Sequence, residues 1–250
     1  PAVQKIITHM IKKNIISTKD SIINDHIAFR TFAHPHLGIK SLEKIFSSYG
    51  YVKRDYYEFK TKKLNAYWFS PPKDSINLPR LFISECKLNE LSTQTQTIIH
   101  NYLKDITADP LDTLNLDNGH DVDAFLHKSL WKQPSWEDYQ AVLAESEYAA
   151  WVLYNRYYLN HFTITIQKLK ENYNTIETFN AFLESIGVKL NEAGGKIKVS
   201  QDKKLRQSST VAETVSTLFT HKNGTQHYHD IAGSYVEFAE RIDNRDGFEV

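Results

Sequence analysis

The sequence predicts an α+β fold in which two β-α-β-β-β units form a curved mixed sheet round a polar cavity, with an added helical segment. Three observations predict it. Two stretches alternate and begin with histidine, His26 to Phe32 and His161 to Ile166. Each is followed by a helical pattern stopped by glycine, Gly50 and Gly187, at offsets of 24 and 26 residues from the histidine. Each half then continues into further strands with an acid late in the unit, Glu85 and Glu237. Self-similarity of this kind is the signature of a duplicated unit.

Val3, Ile6, Ile7, Met10 and Ile11 recur at helical spacing and open the chain with an amphipathic helix. In His26–Phe32, Ile27, Phe29 and Thr31 share one strand face and His26, Ala28 and Arg30 the other. Ser41 to Tyr49 reads as a helix ended by Gly50. Tyr51–Phe59, Leu64–Ser70 and Arg80–Lys87 read as strands, rich in aromatic and β-branched residues. The middle is helical: Leu91–Thr107, Val122–Leu130, and a long helix from Ser135, after Pro134, to Arg156. Its tryptophans, Trp131, Trp136 and Trp151, are expected in the core, and this segment is expected to pack outside the sheet. After His161–Ile166, Thr175–Ile186 carries Phe179, Phe182, Leu183 and Ile186 on one stripe. Val188–Leu190 and Ile197–Val199 flank Gly194-Gly195 as a hairpin, and Leu205–Phe219 and Tyr235–Ala239 complete the strands. One domain is expected over residues 1–250, with unit one at about 24–88, the helical insert at about 91–157 and unit two at about 160–242.

Composition excludes several functions. The 250 residues are 41% hydrophobic and 24% charged, enough for a sizeable core without disulfides. Lys+Arg and Asp+Glu number 30 each, so no electrostatic footprint for nucleic acid or an anionic membrane exists. The longest apolar run, Ala149 to Tyr154, falls far short of the ~20 residues that span a bilayer. No secretory signal is read at the N-terminus, and the single cysteine, Cys86, has no internal partner, so a cytoplasmic protein is expected. Cys86 lies in no nucleophile motif, and there is no phosphate-binding glycine loop or Gly-x-Ser-x-Gly elbow.

Chemistry is concentrated on the polar strand faces. His161, Thr163 and Thr165 share one face, as do Tyr235, Glu237 and Ala239. If the two units pair, His26, His161 and Glu237 converge as two imidazoles and one carboxylate, the arrangement suited to iron(II) oxygen chemistry. The plainer reading makes these structural histidines and a solvated strand-edge acid. His34/His36 and His227/His229 each offer two imidazoles at spacing two, but both lie beside turn signals that favour exposure. Arg206, in a strand otherwise free of charge, needs either a structural acid or an anionic ligand.

The blocks Asn24–Phe32, Leu81–Glu85, Asn160–Thr163, Leu205–Ser209 and Val236–Arg241, in that order, resemble the 2-oxoadipate dioxygenase/decarboxylase family, also called hydroxyglutarate synthase. The resemblance implies a fold similar to the vicinal oxygen chelate enzymes, paired modules round a metal cavity. It implies His26, His161 and Glu237 as metal ligands and Arg30 as the substrate-binding arginine. From the residues alone, Arg206 is a further substrate-binding candidate, and Glu85, as the repeat-equivalent acid, is a candidate either to touch the metal or to stand behind its ligands. Glu240, three residues past Glu237, falls on the opposite strand face. Arg30 is four residues from His26 on one face, roughly 13 Å along the strand, so a metal and a guanidinium would bracket a short dicarboxylate. The implied cofactor is Fe(II), with Zn, Ni or Mn able to load. The implied partners are a 2-oxo acid and dioxygen, and the implied reaction is oxidative decarboxylation with hydroxylation of the shortened acid. The family's characterised enzymes are longer, so a compact short form is expected. Two rivals remain at this stage: a Zn- or Ni-dependent isomerase, lyase or hydrolase on the same scaffold, and a non-catalytic module that binds a small acid.

Overall fold

A computed structural model of the chain describes residues 2–73, 75, 78–200 and 202–242. Helix α1 (Ala2–Lys12) precedes unit one, which runs β1 (Asn24–Phe32), α2 (Gly38–Ser48), β2 (Val52–Phe59), β3 (Leu64–Ser70) and β4 (Arg80–Cys86). Helices α3 (Thr93–Leu103), α4 (Gly119–Leu126), α5 (Trp136–Glu145) and α6 (Glu147–Asn155) follow. Unit two runs β5 (Leu159–Thr165), α7 (Ile176–Ser185), β6 (Lys198–Val199), β7 (Leu205–Ser209), β8 (Thr214–Thr220), β9 (Gln226–Ala232) and β10 (Tyr235–Arg241).

Eight strands form one mixed sheet in the order β2-β3-β4-β1-β5-β10-β7-β6. Its centre is the antiparallel pair β1–β5. Outward from that pair, each unit repeats one plan, with a parallel neighbour and then antiparallel strands. The duplication extends to register. His26 lies opposite Arg80 and Ala28 opposite Phe82; His161 lies opposite Tyr235 and Thr163 opposite Glu237. Phe82 is therefore the counterpart of Glu237, and Glu85 that of Glu240. This corrects the pairing of Glu85 with Glu237 made from the sequence, where strand ends could not be aligned.

Glu85 and Glu240 share a task. Glu85 Oε2 accepts from the Ile39 N–H and Glu240 Oε2 from the Ile176 N–H, each at 2.9 Å. A carboxylate at a helix N-terminus satisfies an orphan donor and complements the helix dipole. Gly38 (φ +82°) makes the first anchor possible, because a Cβ there would sit 2.7 Å from Glu85 Oε2.

The stripes on the two repeat helices are buried as the helical period requires. Leu42 and Ile45 of α2 pack with Phe29, Leu81 and Ile83. Phe179, Phe182 and Leu183 of α7 pack with Ile6 and Met10 of α1 and with Ile164 and Phe238 of the sheet. Each such side chain contributes about 1.5–3 kcal/mol on burial. The same term explains why the hairpin expected round Gly194-Gly195 does not form. Val188 and Leu190 are buried with the α7 cluster, Leu190 bridges only Thr210, and β6 pairs with β7. Burial of two apolar side chains outweighs a few exposed ladder bonds worth about 1 kcal/mol each.

Other departures have local causes. The long helix expected over 135–156 breaks at Ser146, whose side chain accepts from the Ala149 N–H and caps α6. The strand expected over 205–219 divides: β7 stays in the sheet while β8 leaves to pair with β9, which the sequence reading omitted. The helical segment does not lie wholly outside the sheet. Helix α6 packs against β1 and sets Tyr148 and Trp151 beside Arg30.

Candidate metal centre

The polar faces of β1, β5 and β10 meet at the seam between the units. Among the described residues, His26, His161 and Glu237 form the group of three side chains placed, as they stand, to hold a metal ion, with one ligand atom from each within 4.8 Å of the others. Nε2 of His26 and Nε2 of His161 each lie 3.5 Å from Glu237 Oε2. The imidazole rings stand nearly perpendicular, their centroids 5.6 Å apart. Metal–ligand bonds of ~2.1 Å at near right angles place ligand atoms roughly 3 Å apart, so a small closure fits one divalent ion. Two imidazoles and a carboxylate would leave open positions on it.

Both imidazoles are oriented from behind by the preceding residue. His26 Nδ1 is 2.9 Å from Asp25 Oδ1, and His161 Nδ1 is 2.9 Å from Asn160 Oδ1. An oxygen on Nδ1 fixes the tautomer that leaves Nε2 as the lone-pair donor. The β1–β5 register shifts at both places, between Asn24 and His26 and between Leu159 and His161, so Asp25 and Asn160 sit at irregularities where the strict alternation of faces is broken. Both blocks were read from the sequence as Asx-His, but this role was missed; the repeated Asx before each histidine was the available signal. Asp25 is buried and also accepts from Arg241 at 2.6 and 2.9 Å, with Arg80 at 3.5 Å.

Protonation follows from these contacts. Burial opposes the charge on Asp25, but Arg241 and His26 outweigh it and hold the carboxyl well below its usual range. Burial would lower His26 too, but its bonds to Asp25 and Glu237 raise it above the ordinary histidine value. His161 lacks a carboxylate behind it, and burial pushes it down to about 4. Glu237, despite burial, is lowered to about 2 by the two imidazoles. Its Oε2 also accepts from Gln207 Nε2 at 3.1 Å, and Thr163 Oγ1 stands 2.9 Å from His26 Nε2.

The centre borders a cavity of about 430 Å³ lined by Arg30, Lys62, Phe82, Tyr148, His161 and Tyr235 among others. The Arg30 guanidinium lies 4.9 Å from the Tyr148 ring centre and 5.4 Å from that of Trp151. It makes no ion pair with a carboxylate among the described residues. Tyr235 stacks on His161 with centroids 4.7 Å apart, and burial and Glu237 raise its phenol so that it stays neutral. Lys62 also lines the cavity, its pKa lowered by desolvation and by Lys198 and Arg30. The sequence offered no signal for Lys62 or Tyr148, which lie on other elements and meet Arg30 only through the fold.

Two candidates fall outside the centre. Arg206 is not at the cavity; it pairs with Glu240 at 3.1 Å and with Glu177, bracing the start of α7, and its neighbour Gln207 is the residue that reaches the site. Glu85 binds the start of α2 rather than either imidazole. The pair His34/His36 stays apart from the centre, and His227/His229 lie on β9. Cys86 is buried, and its thiol is pushed up to about 12 by desolvation, as an inert core residue.

A family model described as 2-oxoadipate dioxygenase/decarboxylase matches residues 1–245. The 2-oxoadipate dioxygenase/decarboxylase of Oryza sativa subsp. japonica, named as chloroplastic/amyloplastic, is 43% identical over 92% of this chain and 67% of its own. The chloroplastic protein of the same name from Arabidopsis thaliana is 41% identical over 90% of this chain and 65% of its own, so the chain spans about two thirds of these relatives' length. The crystal structure of the Oryza sativa hydroxyglutarate synthase in complex with 2-oxoadipate superposes with a TM-score of 0.77 at 39% identity, covering 100% of this chain and 87% of that one. A glyoxalase superfamily protein from Ralstonia eutropha shares the fold, with a TM-score of 0.76 at 18% identity, over 96% of this chain and 81% of its own.

Proposed function

Because the chain belongs to the 2-oxoadipate dioxygenase/decarboxylase family, we propose that it oxidatively decarboxylates and hydroxylates a 2-oxo acid, 2-oxoadipate to 2-hydroxyglutarate, with iron(II) held by His26, His161 and Glu237. The observation that carries this reading is the convergence of two imidazole Nε2 atoms on Glu237 beside a cavity that presents the Arg30 guanidinium. One 2-oxoadipate and one dioxygen yield one 2-hydroxyglutarate and one carbon dioxide. Atoms and electrons balance with no further reductant.

The chemistry a bound iron(II) supplies is dioxygen activation and chelation of the 2-oxo acid head. Everything else falls to the chain. Asp25 and Asn160 hold the two imidazoles with Nε2 inward. Gln207 orients the Glu237 carboxylate. A divalent ion with Glu237 leaves one net positive charge, and Arg30 adds a second. A dicarboxylate brings two negative charges, so the site and the substrate match in charge. Tyr148 and Trp151 flank the guanidinium from α6, fixing where the distal carboxylate docks.

The test is oxygen uptake by anaerobically iron-loaded protein against a panel of 2-oxo acids beginning with 2-oxoadipate. The expected result is uptake matched by carbon dioxide release and lost in His26→Ala. Full iron occupancy without uptake on any acid would overturn the reading in favour of Lewis-acid chemistry. Arg30→Ala is expected to retain the metal yet lower kcat/KM on dicarboxylic oxo acids roughly 10- to 100-fold, the worth of one charge-assisted contact. Rates on monocarboxylic oxo acids should change little. An unaltered ratio between the two substrate classes would remove Arg30 from substrate recognition.

A further inference from the structure

A second histidine cluster lies on the β8–β9 hairpin. The hairpin is a two-stranded sheet separate from the main one, held against the helical layer through Phe219, which is buried among Trp136, Tyr139 and Tyr154. Two-stranded hairpins are marginal on their own, so what fastens this one matters. His221 follows β8 directly, and His227 and His229 sit two apart on β9.

The geometry around His221 is that of a metal ligand with its supporting carboxylate. Glu137, in the first turn of α5, accepts from His221 Nδ1 at 2.8 Å through Oε1, and from the Lys222 N–H at 3.0 Å through Oε2. Both carboxylate oxygens are engaged, so the carboxylate is fixed and Nδ1 carries the proton. His221 Nε2 is then the lone-pair nitrogen, and it faces His229 Nε2 at 3.0 Å. The His229 ring stacks on Trp136, with centroids 3.8 Å apart and an interplanar angle of 7°, which fixes its orientation. The His227 ring is 5.2 Å from that of His221, centroid to centroid, on the hairpin face shared with His229. Two imidazole nitrogens bonded to one ion at ~2.0 Å in tetrahedral geometry stand about 3.3 Å apart. His221 and His229 need separate by only a few tenths of an ångström.

We propose that His221 and His229, with His227 turning in as third ligand, form a surface site for a borderline divalent ion such as Zn(II), Cu(II) or Ni(II), distinct from the centre at His26. An all-imidazole donor set selects these ions over Mg(II) or Ca(II). The Glu137–His221 bond is the outer carboxylate such sites use to orient a ligand. A bound ion would tie the turn end of the hairpin together and, through Glu137, to α5.

Equilibrium dialysis of the 250-residue chain with Zn(II) separates the two sites by stoichiometry. The wild type is expected to hold two ions, His161→Ala one, and His221→Ala one. Trp136 gives an independent readout, since Cu(II) beside His229 quenches it. Quenching is expected to persist in His161→Ala and to vanish in His221→Ala. Trp136→Phe should lose the quenching and keep the second ion. His227→Ala should weaken the second ion by roughly tenfold or more, since losing a ligand costs at least as much as losing its support. If His221→Ala does not fold, the more conservative His221→Gln and Glu137→Gln, the latter at an exposed position, carry the same test. A single Zn(II) in the wild type, or a second ion unaffected by both His221 and His229 substitutions, would overturn the site and leave an imidazole–imidazole hydrogen bond. Unchanged affinity in His227→Ala would overturn the three-histidine form.

Discussion

Glu237→Ala is expected to fold and yet fail to retain a divalent ion, with turnover on a 2-oxo acid falling by about three powers of ten. Electrostatic and template effects of a metal are worth several kcal/mol, and each 1.36 kcal/mol is a factor of ten. Some stability is lost with it, since its contacts to the two imidazoles and Gln207 outweigh burial and hold its carboxyl low, but folding survives because Glu237 belongs to none of the apolar clusters that hold the sheet. Glu240→Ala is the matching control. Glu240 lies three residues on in the same strand but faces Arg206 and the start of α7. It should keep the metal and lose only about 1–3 kcal/mol of stability, the worth of its charged hydrogen bonds. Metal content by elemental analysis, read beside a denaturation midpoint, separates the two. Metal retained in Glu237→Ala and lost in Glu240→Ala would reverse the assignment. At neutral pH, metal uptake should also release a proton. His26 has a pKa above the ordinary value and must shed its proton to ligate, whereas His161 and Glu237, at about 4 and about 2, have none to lose. Affinity should therefore rise with pH through the His26 titration, which calorimetry in buffers of differing ionisation heat would detect.

The repeat was legible because both units keep a period of two that starts at a histidine and a period of 3.6 that stops at a glycine. Those patterns are local, and the fold reproduces them at Gly50 and Gly187, both with positive φ. The three residues at the seam could be nominated for the same reason: each begins or occupies the polar face of a strand whose other face is apolar. What the sequence could not supply was register. Without it Glu85 seemed the partner of Glu237, whereas the paired strands match it to Glu240 and match Glu237 to Phe82. The duplicated scaffold thus supplies one carboxylate, not two, and the position that would carry a second acid is filled by an apolar ring lining the cavity. Arg206 was singled out by its charge, but strand alternation gives the cavity side to Gln207. Lys62 and Tyr148 were missed because nothing near them in sequence refers to the site; they arrive through a loop path and helix packing. The hairpin β8–β9 did have a signal, the turn beside His227, but its second strand, mostly exposed, carries no apolar stripe to mark it.

Asp25→Ala is expected to cost about 3–5 kcal/mol, the usual result of removing one partner from a buried ion pair. That is a large share of the 5–15 kcal/mol that holds a typical domain. Asp25 is 2% exposed and Arg241 8%, and the substitution removes both of the guanidinium's short contacts to that carboxylate. Asp25→Asn should divide the effect. The amide keeps an oxygen for His26 Nδ1, as Asn160 already does behind His161, so metal binding should persist. The charge opposite Arg241 is lost, so stability should still fall. Asp25→Asn/Arg241→Met removes both charges and should recover part of the loss, since an apolar replacement of a buried pair is often neutral or better. The sign with pH follows from the depressed pKa of Asp25. Its contribution is present in full above the unfolded value of ~3.9 and is lost as pH falls toward the folded one. Wild-type stability should therefore decline steeply below about pH 4, and Asp25→Asn should flatten that limb. Denaturant midpoints from neutral to acid pH measure both effects. Equal acid limbs in the two proteins would mean that Asp25 does not carry the charge that neutralises Arg241.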